Sequence, residues 1–414
     1  MIETKFKQTE LGPIPEDWEV GTFADFLNTF SAGATPYRGI PDNFIGQIPW
    51  ISSGELNYCE INDTREHISL DAQRNAHLTV HKPGTFLIAI TGLEAAGTRG
   101  RCAFIKTPST TNQSCLAINS TDKMTVRYLF WFYRQWSNYL AFNFSQGSKQ
   151  QSFTAEIVKK LPIYAPPYKE QVAIAEALND VDSLIRELDT LIEKKQAVFQ
   201  GSMQELLTGN HRLPGFSVPW KHIIFGDTVN IYRGGSPRPI ENFITTNPNG
   251  LNWIKIGDVR PKDKYIVHTT EKIIPEGLSS TREVHVGDFI LSNSMSFGRP
   301  YILKIDGCIH DGWLAITNYE STFDKDYLYY LLGSDSVYQQ YLCLAAGSGV
   351  LNLNKKLVAS VELDIPEIAE QQAIATILSD MDAEIAELEA KREKYTAIRQ
   401  GMMQQLLTGK IRLI

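Results

Sequence analysis

The chain has 414 residues, 43% hydrophobic and 21% charged, the composition of a folded protein with room for two or more cores. Its formal net charge of −7 argues, taken alone, mildly against a nucleic-acid partner. The opening MIETKFKQTELGPIPEDW lacks a signal peptide's apolar run, and the most apolar window, GTFLIAITGLEAAG, is too short to cross a bilayer.

Residues 1–165 read as a first module. Short β-rich runs such as GTFLIAI, punctuated by Gly, Pro, Asn and Ser, alternate with a helical patch, YLFWFYRQWSNYL, which predicts an α+β domain with a largely antiparallel sheet. Residues 166–210 read as one long central helix. Pro166 and Pro167 stand where a helix start tolerates them, and Gly209 stands where a helix stops. Between them Ile174, Leu178, Val181, Ile185, Leu188 and Ile192 follow coiled-coil steps of four and three. Residues 211–365 form a second module of the first kind, with GDFILSN and YLYYLLGSDSVYQQYL. Residues 366–414 form a distal long helix, with Pro366 at its start, Ile374, Leu378, Met381, Ile385 and Leu388 on its stripe, and Gly409 at its stop.

The two helical segments are one sequence written twice. At a constant offset of 200, residues 170–213 lie over 370–413 without a gap, from EQVAIA over EQQAIA to QGSMQELLTG over QGMMQQLLTG. The modules echo each other more faintly: IPWISSGEL with LNWIKIGDV, KPGTFLI with HVGDFIL, RYLFWFY (127–133) with DYLYYLL (326–332). A period this long means duplicated domains rather than a solenoid. The predicted architecture is therefore α+β, with two α/β modules joined by two long antiparallel coiled-coil helices under pseudo-twofold symmetry. Each helix of forty-odd residues would be roughly 60 Å long. Ile174, Leu178, Ile185 and Leu188 are expected to pair with Ile374, Leu378, Ile385 and Leu388. The alternative is that each helix packs on its own module.

Most of the negative excess sits on the helices: residues 166–209 carry 4 basic and 8 acidic side chains, and 366–414 carry 6 and 8. Residues 1–165 carry 15 of each, and 210–365 carry 15 and 16, so local basic loops can meet phosphate. No phosphate-binding GxxxxGK[ST], GxSxG, HExxH or dinucleotide glycine fingerprint is present. APPY at 165–168 resembles the methyltransferase [NDS]PP[YF] box, but Ala165 cannot bond a target amino group, so it reads as a helix entry. HDGW at 310–313 reads as a loop leading into a strand. Cys59, Cys102, Cys115, Cys308 and Cys343 are scattered with no CxxC pair, which predicts a cytoplasmic chain with no metal site. No catalytic constellation is expected.

What remains are glycine-rich polar loops in matching places: SAGATPYRG with RGGSPRP, TGLEAAGTRGR with SNSMSFGRP, and SQGSKQQS with AGSGVLNLNKK. Glycine lets backbone approach a phosphate, arginine forks onto guanine, and Gln or Asn pairs with adenine. The candidate DNA-binding residues are Arg38, Arg99, Arg101, Lys149, Gln150 and Gln151 in the first module. In the second they are Arg233, Ser236, Arg238, Arg299, Asn352, Asn354 and Lys355.

Taken together, TELGPIPEDWEV, APPYKEQ…IA and the doubled QGSMQELLTG…RL and QGMMQQLLTGKIRL resemble the specificity (S) subunit of type I restriction–modification enzymes, over essentially the whole chain. The second helix entry, IPEIAEQQ, departs by lacking the second proline. The resemblance implies that each module is a target recognition domain reading one half of a split double-stranded DNA sequence. It implies that the helices space the modules and dock two modification (methyltransferase) subunits, so that the repeated phrase marks two equivalent partner sites. It also implies that this subunit is non-catalytic and binds no cofactor. S-adenosylmethionine, ATP and Mg then belong to the modification and restriction (translocase/nuclease) subunits, with no membrane involved. The competing reading is a non-catalytic coiled-coil protein-interaction scaffold; a standalone methyltransferase or nuclease fits least.

Overall fold

The computed structural model describes residues 5–260, 262–293, 297–345 and 352–413. The chain divides into two compact units, the first made of residues 1–188 with 391–414, the second of 189–390. Neither long helix is a unit of its own.

At the centre of unit 1 lies a five-stranded sheet of β1 (Asn28–Ala32), β2 (Glu60–Ile61), β3 (Phe86–Ala89), β4 (Cys102–Ile105) and β5 (Cys115–Asn119), in the order β1-β5-β3-β4-β2. Neighbours are antiparallel except β2 and β4, which run parallel. Side chains alternate between faces along a strand. Phe86, Ile88, Phe104, Leu116 and Ile118 join the main core, while Leu87, Ala89, Ala103, Ile105 and Ala117 join a second cluster on the other face. Both faces are covered, which is why these strands read as continuous apolar runs. Helix α1 (Val126–Phe144) covers the first face and starts at Thr125, whose hydroxyl accepts the Arg127 and Tyr128 amides. Its Phe130 and Tyr133 rings each lie 6.3 Å from that of Phe86.

Two long helices follow the modules, α2 (Tyr168–Leu207) and, at the chain end, one over Ile368–Leu406. Unit 2 repeats the sheet with β6 (Asn230–Arg233), β7 (Tyr265–Ile266), β8 (Phe289–Ser292), β9 (Pro300–Leu303) and β10 (Trp313–Thr317), in the order β6-β10-β8-β9-β7. The single parallel pair, β7 with β9, recurs in the same place. Where unit 1 has the unbroken α1, unit 2 has α3 (Lys325–Leu332) and α4 (Asp335–Ala345), separated at Gly333 and Ser334. The distal helix Ile368–Leu406 is therefore α5. All five cysteines are free, and among the described residues no helix is long and apolar enough to cross a membrane.

Both long helices start on one device. The Gln171 carboxamide accepts the Thr125 amide at 3.0 Å and donates to the Lys123 and Pro166 carbonyls at 2.8 and 2.9 Å. Gln371 does the same with Asp324, Thr322 and Pro366 at 2.8, 3.0 and 2.9 Å. One proline therefore suffices, and APPY is a helix entry.

Both also end on one device. Arg412 grips the two carboxylate oxygens of Glu170 at 2.7 and 2.8 Å and also pairs with Asp17. Arg212 grips Glu370 at 2.7 Å twice. Glu170 and Glu370 are each only 1% exposed. Met403, Leu406 and Leu407 lie in the core of unit 1, and Met203, Leu206 and Leu207 in that of unit 2. The repeated phrase thus closes each unit on itself: Met203, Leu206, Leu207, Met403, Leu406 and Leu407 are buried and Arg212 and Arg412 are engaged.

The antiparallel sense is visible within each unit. Asp182 meets Arg399 in unit 1, and Lys195 meets Glu384 at 2.7 Å in unit 2. It also corrects the expected residue pairs. Ile174 and Leu178 pack in the core of unit 1 beside Leu406 and Leu407, whereas Ile374 and Leu378 pack in that of unit 2 beside Leu206 and Leu207. Ile185, Leu188 and Ile385 are buried outside those cores, and Leu388 is half-buried.

Replacing Arg412 by Ala leaves the Glu170 carboxylate buried with only the long contacts from the Trp18 indole N–H and the Leu413 amide, at 3.3 and 3.4 Å. Such a loss costs roughly 3–5 kcal/mol. Urea unfolding should show that drop for Arg412→Ala, and a much smaller one when Glu170→Gln accompanies it.

Candidate nucleic-acid interface

In unit 1, β1 runs out at Ala32 and β3 at Ala89, while β4 begins at Cys102 and β5 at Cys115. Residues 33–39, 90–101 and 112–114 therefore leave one end of the sheet. The segment after α1 folds onto that end: the Leu93 amide donates to the Gln151 carbonyl at 3.0 Å and the Phe153 amide to that of Ile90 at 2.8 Å. Arg99, Arg101, Lys149, Gln150 and Gln151 are thus neighbours through their loops.

Their side chains have different employments. Arg99 donates to the Leu93 and Glu94 carbonyls at 2.9 Å each and to Asn138 at 3.2 Å, with its guanidinium 4.2 Å from the Phe142 ring centroid. Arg101 donates to the Gly97 and Gly54 carbonyls. Arg38 forks onto Glu66 at 2.8 and 2.9 Å and lies 4.5 Å from the Phe44 ring centroid. That ion pair holds the Glu66 carboxyl below its ordinary pKa. These three arginines brace loops. Lys149 and Gln150 are exposed. The Gln151 amide N–H donates to Glu94 at 2.8 Å, and its side-chain oxygen is buried without a hydrogen-bond partner among the described residues.

Unit 2 gathers the matching loops at the matching sheet end, around Arg233, Ser292, Pro300 and Trp313. A pocket of about 510 Å³ opens there, lined by Arg233, Lys255, Asn293, His310, Asp311 and Asn352 among others. The Ser236 hydroxyl donates to Asp311 at 2.9 Å, and Arg238 stands 3.7 Å from the same carboxylate. Burial pushes the Asp311 pKa up, but the Ser236 hydroxyl, a backbone amide, His310 and Arg238 outweigh it and hold the group below its ordinary value. Burial pushes the His310 imidazole pKa down, and the Gly312 amide donates to its Nδ1 at 2.6 Å. HDGW is a loop into β10, as the sequence suggests, and also a wall of this pocket.

The remaining candidates separate. Asn354 caps the short helix Lys355–Ala359, its Oδ1 accepting the Lys356 and Leu357 amides at 2.9 and 3.1 Å. Arg299 faces a second groove beside the helices rather than the pocket. Residues 294–296 and 346–351 of the candidate loops lie outside the described residues. Missed by the sequence reading were Tyr232 and Arg282. The Tyr232 ring has the Arg282 guanidinium at 4.7 Å and the Lys355 ammonium at 5.6 Å. Arg282 sits on a strand, Arg282–Val284, with no glycine-rich loop to flag it.

The loop glycines serve the loops themselves at two matched positions. A Cβ on Gly33 would stand 1.8 Å from the Thr111 carbonyl oxygen, and one on Gly234 2.0 Å from that of His310. Close packing of loop on loop requires glycine there, where approach to a phosphate was the expected reason. Among the described residues no group of three His, Cys, Asp or Glu could hold a metal ion. The face offers cations, amides and an aromatic ring, the inventory for phosphates and base edges.

The model of the type I restriction modification DNA specificity domain matches this chain twice, over residues 15–196 and 217–395. The chain belongs to that family. The type I restriction enzyme MjaVIII specificity subunit of Methanocaldococcus jannaschii is 23% identical over 436 residues, covering 99% of this chain and 97% of that one. The MjaIX specificity subunit of the same organism is 32% identical over 188 residues, 44% of this chain and 42% of that one. The crystal structure of the type I restriction–modification system S subunit from M. genitalium shares the fold, with a TM-score of 0.62, 14% identity, and 97% and 98% of the two chains covered.

The side-chain employments give a stability test. Arg99→Ala removes three hydrogen bonds and should lower unfolding free energy by about 1–3 kcal/mol. Arg233→Ala, with no partner among the described residues, should leave the thermal midpoint within about a degree or two of wild type.

Proposed function

We propose that this specificity subunit reads a bipartite duplex sequence, one half with each module, through the loops gathered at the ends of the two matched sheets. One observation carries this reading. The same strand order places polar loops at the same sheet end in both units, while the residues on those loops differ. A retained frame with diverged loops suits two readers of different half-sites. In unit 2 the contacts to base edges fall to Arg233, Asn352 and the pocket groups Asn293 and Asp311. Lys355 and Arg282 flank them as phosphate contacts. In unit 1 the base-edge contacts fall to Gln150 and Gln151 and a phosphate contact to Lys149, with Arg38, Arg99 and Arg101 holding the loops that present them.

The acidic, exposed face of the paired helices serves as spacer and as docking surface for two modification subunits. Methyl transfer with S-adenosylmethionine belongs to those subunits, and ATP- and Mg-dependent translocation and cleavage to restriction subunits. The specificity subunit itself takes part by binding alone.

The test is adenine-methylation mapping of DNA from cells expressing the chain with its modification subunit. One asymmetric bipartite motif is expected. Arg233→Ala should relax one position in the half read by unit 2, at a cost of about 1–3 kcal/mol for the cognate base, and leave the other half intact. Lys149→Ala should weaken all sequences alike and flatten the salt dependence. A stable complex that adds no methylation would overturn the reading.

A further inference from the structure

Equivalent places in the two units are filled differently. In unit 1 Asp182, 5% exposed, meets three guanidinium groups: Arg186 on α2, Arg399 on α5, and Arg134 on α1 at 3.5 Å. The Arg134 guanidinium also lies 5.2 Å from the Phe130 ring centroid and 4.8 Å from that of Trp131.

The register between the units is fixed by a shared hydrogen bond. Trp131 Nε1 donates to Asn179 at 3.0 Å, and the Tyr330 hydroxyl donates to Ser379 at 3.3 Å. In that register Asp382 stands for Asp182, and Tyr329 and Tyr330 stand for Phe130 and Trp131. Arg134, Arg186 and Arg399 are replaced by Gly333, Ala386 and Phe199. None of the three is charged, and all three, with Asp382, line a groove of about 990 Å³. The groove lies where unit 1 holds its guanidinium groups.

Unit 2 lines the groove with three cations of its own, Lys262, Lys264 and Arg299. The Lys264 ammonium is 4.8 Å from the ring centroids of both Tyr329 and Tyr330, but its ion pair goes to Asp326 at 2.9 Å. Asp382 is left half-buried, and burial pushes its pKa up against the pull of Lys264. Asp263, Asp335 and Glu389 face the same groove, with Lys262 held by Glu389 at 2.6 Å. The groups that act on Asp382 are Lys264, the Tyr330 hydroxyl and Glu389, with no guanidinium among them, and aromatic walls around such an aspartate suit a planar cation, which stacks and forks at once.

We propose that this groove, lined by Tyr329 and Phe199, receives an arginine side chain of a modification subunit, which pairs with Asp382. Unit 1 completes the corresponding charge pair from its own chain, so the two docking places are unequal and only that of unit 2 depends on a partner guanidinium. The proposal rests on the reading in which modification subunits dock on the helices.

Two variants of the full chain test it, Asp382→Asn and Ala386→Arg. The second offers in cis the guanidinium that unit 1 has at Arg186. Each is assembled with the modification subunit, and stoichiometry and affinity are measured alongside the thermal midpoint of the free chain. Both variants should keep one modification subunit at wild-type affinity and bind the other at least about tenfold more weakly, with Ala386→Arg melting no lower than wild type. Arg186→Ala should leave both affinities unchanged. Wild-type binding of both subunits by both variants would overturn the groove assignment alone. Failure of the wild-type chain to bind any modification subunit would overturn the docking reading and the groove with it. Should Asp382→Asn not fold, Ala386→Arg decides.

Discussion

A carboxylate taken out of water costs several kcal/mol unless a cation meets it in good geometry, and this chain accepts that cost at the first turn of each long helix. Glu170 and Glu370 are buried. Each is met by an arginine that follows the end of the other helix, Arg412 and Arg212. The geometry is demanding, since both oxygens are gripped by one planar fork. It fixes which helix end lies beside which helix start, and hence the antiparallel sense of the pairing. Because Glu170 and Gln171 are adjacent, the same turn also anchors the segment entering α1. The clasp therefore ties three things together: the helix start, the module in front of it and the far end of the other helix. Each of the two units has its own copy.

That arrangement explains how the modules can diverge while the helix ends stay alike. The helix ends must satisfy a buried charge and fill a core with Leu206 and Leu207 or Leu406 and Leu407, so few substitutions are tolerated. The sheets need only alternation and volume. Unit 1 uses Phe86 and Phe104 where unit 2 uses Phe289 and Ile302, with strand order and the lone parallel pair unchanged. The loops at the sheet ends are constrained where one backbone crosses another, as at Gly33 and Gly234, and where a side chain braces them, as at Arg99. The positions between are open to change, and that is where a reader of DNA needs freedom.

Much of the architecture was legible in the sequence because its signals are local or periodic. The offset of 200, the steps of four and three, and the proline and glycine at the helix limits describe single segments, and α2 and α5 run within a few residues of them. The paired loops were legible for the same reason, since sheet ends punctuate a sequence with glycine. What escaped depends on which residues meet. The stripe on α2 shows that Ile174 and Leu178 are buried, yet not that their neighbours are Leu406 and Leu407. Arginine in a glycine-rich loop has the same spelling whether it faces solvent, as Arg233 does, or braces the loop, as Arg99 does. Arg282 and Tyr232 were missed because they come from different strands and meet only in the fold.

The duplication also shows what kind of equivalence selection on a fold can hold. The contact between Trp131 and Asn179 persists as Tyr330 with Ser379, so the packing of module on helix survives a change of both partners. The cation on the aromatic pair persists too, although it comes from α1 as Arg134 in one unit and from the approach to β7 as Lys264 in the other. Position and chemistry are kept while the residue that supplies them moves. Asp382 is the exception: its carboxylate is kept, yet the three guanidinium groups around its counterpart are gone together. A half-buried acid left with only Lys264 and the Tyr330 hydroxyl acting to lower its pKa is less well satisfied than its counterpart, and Asn could relieve it by one substitution. Retention of the acid beside a groove large enough for the missing groups is more readily understood if a partner brings one of them back.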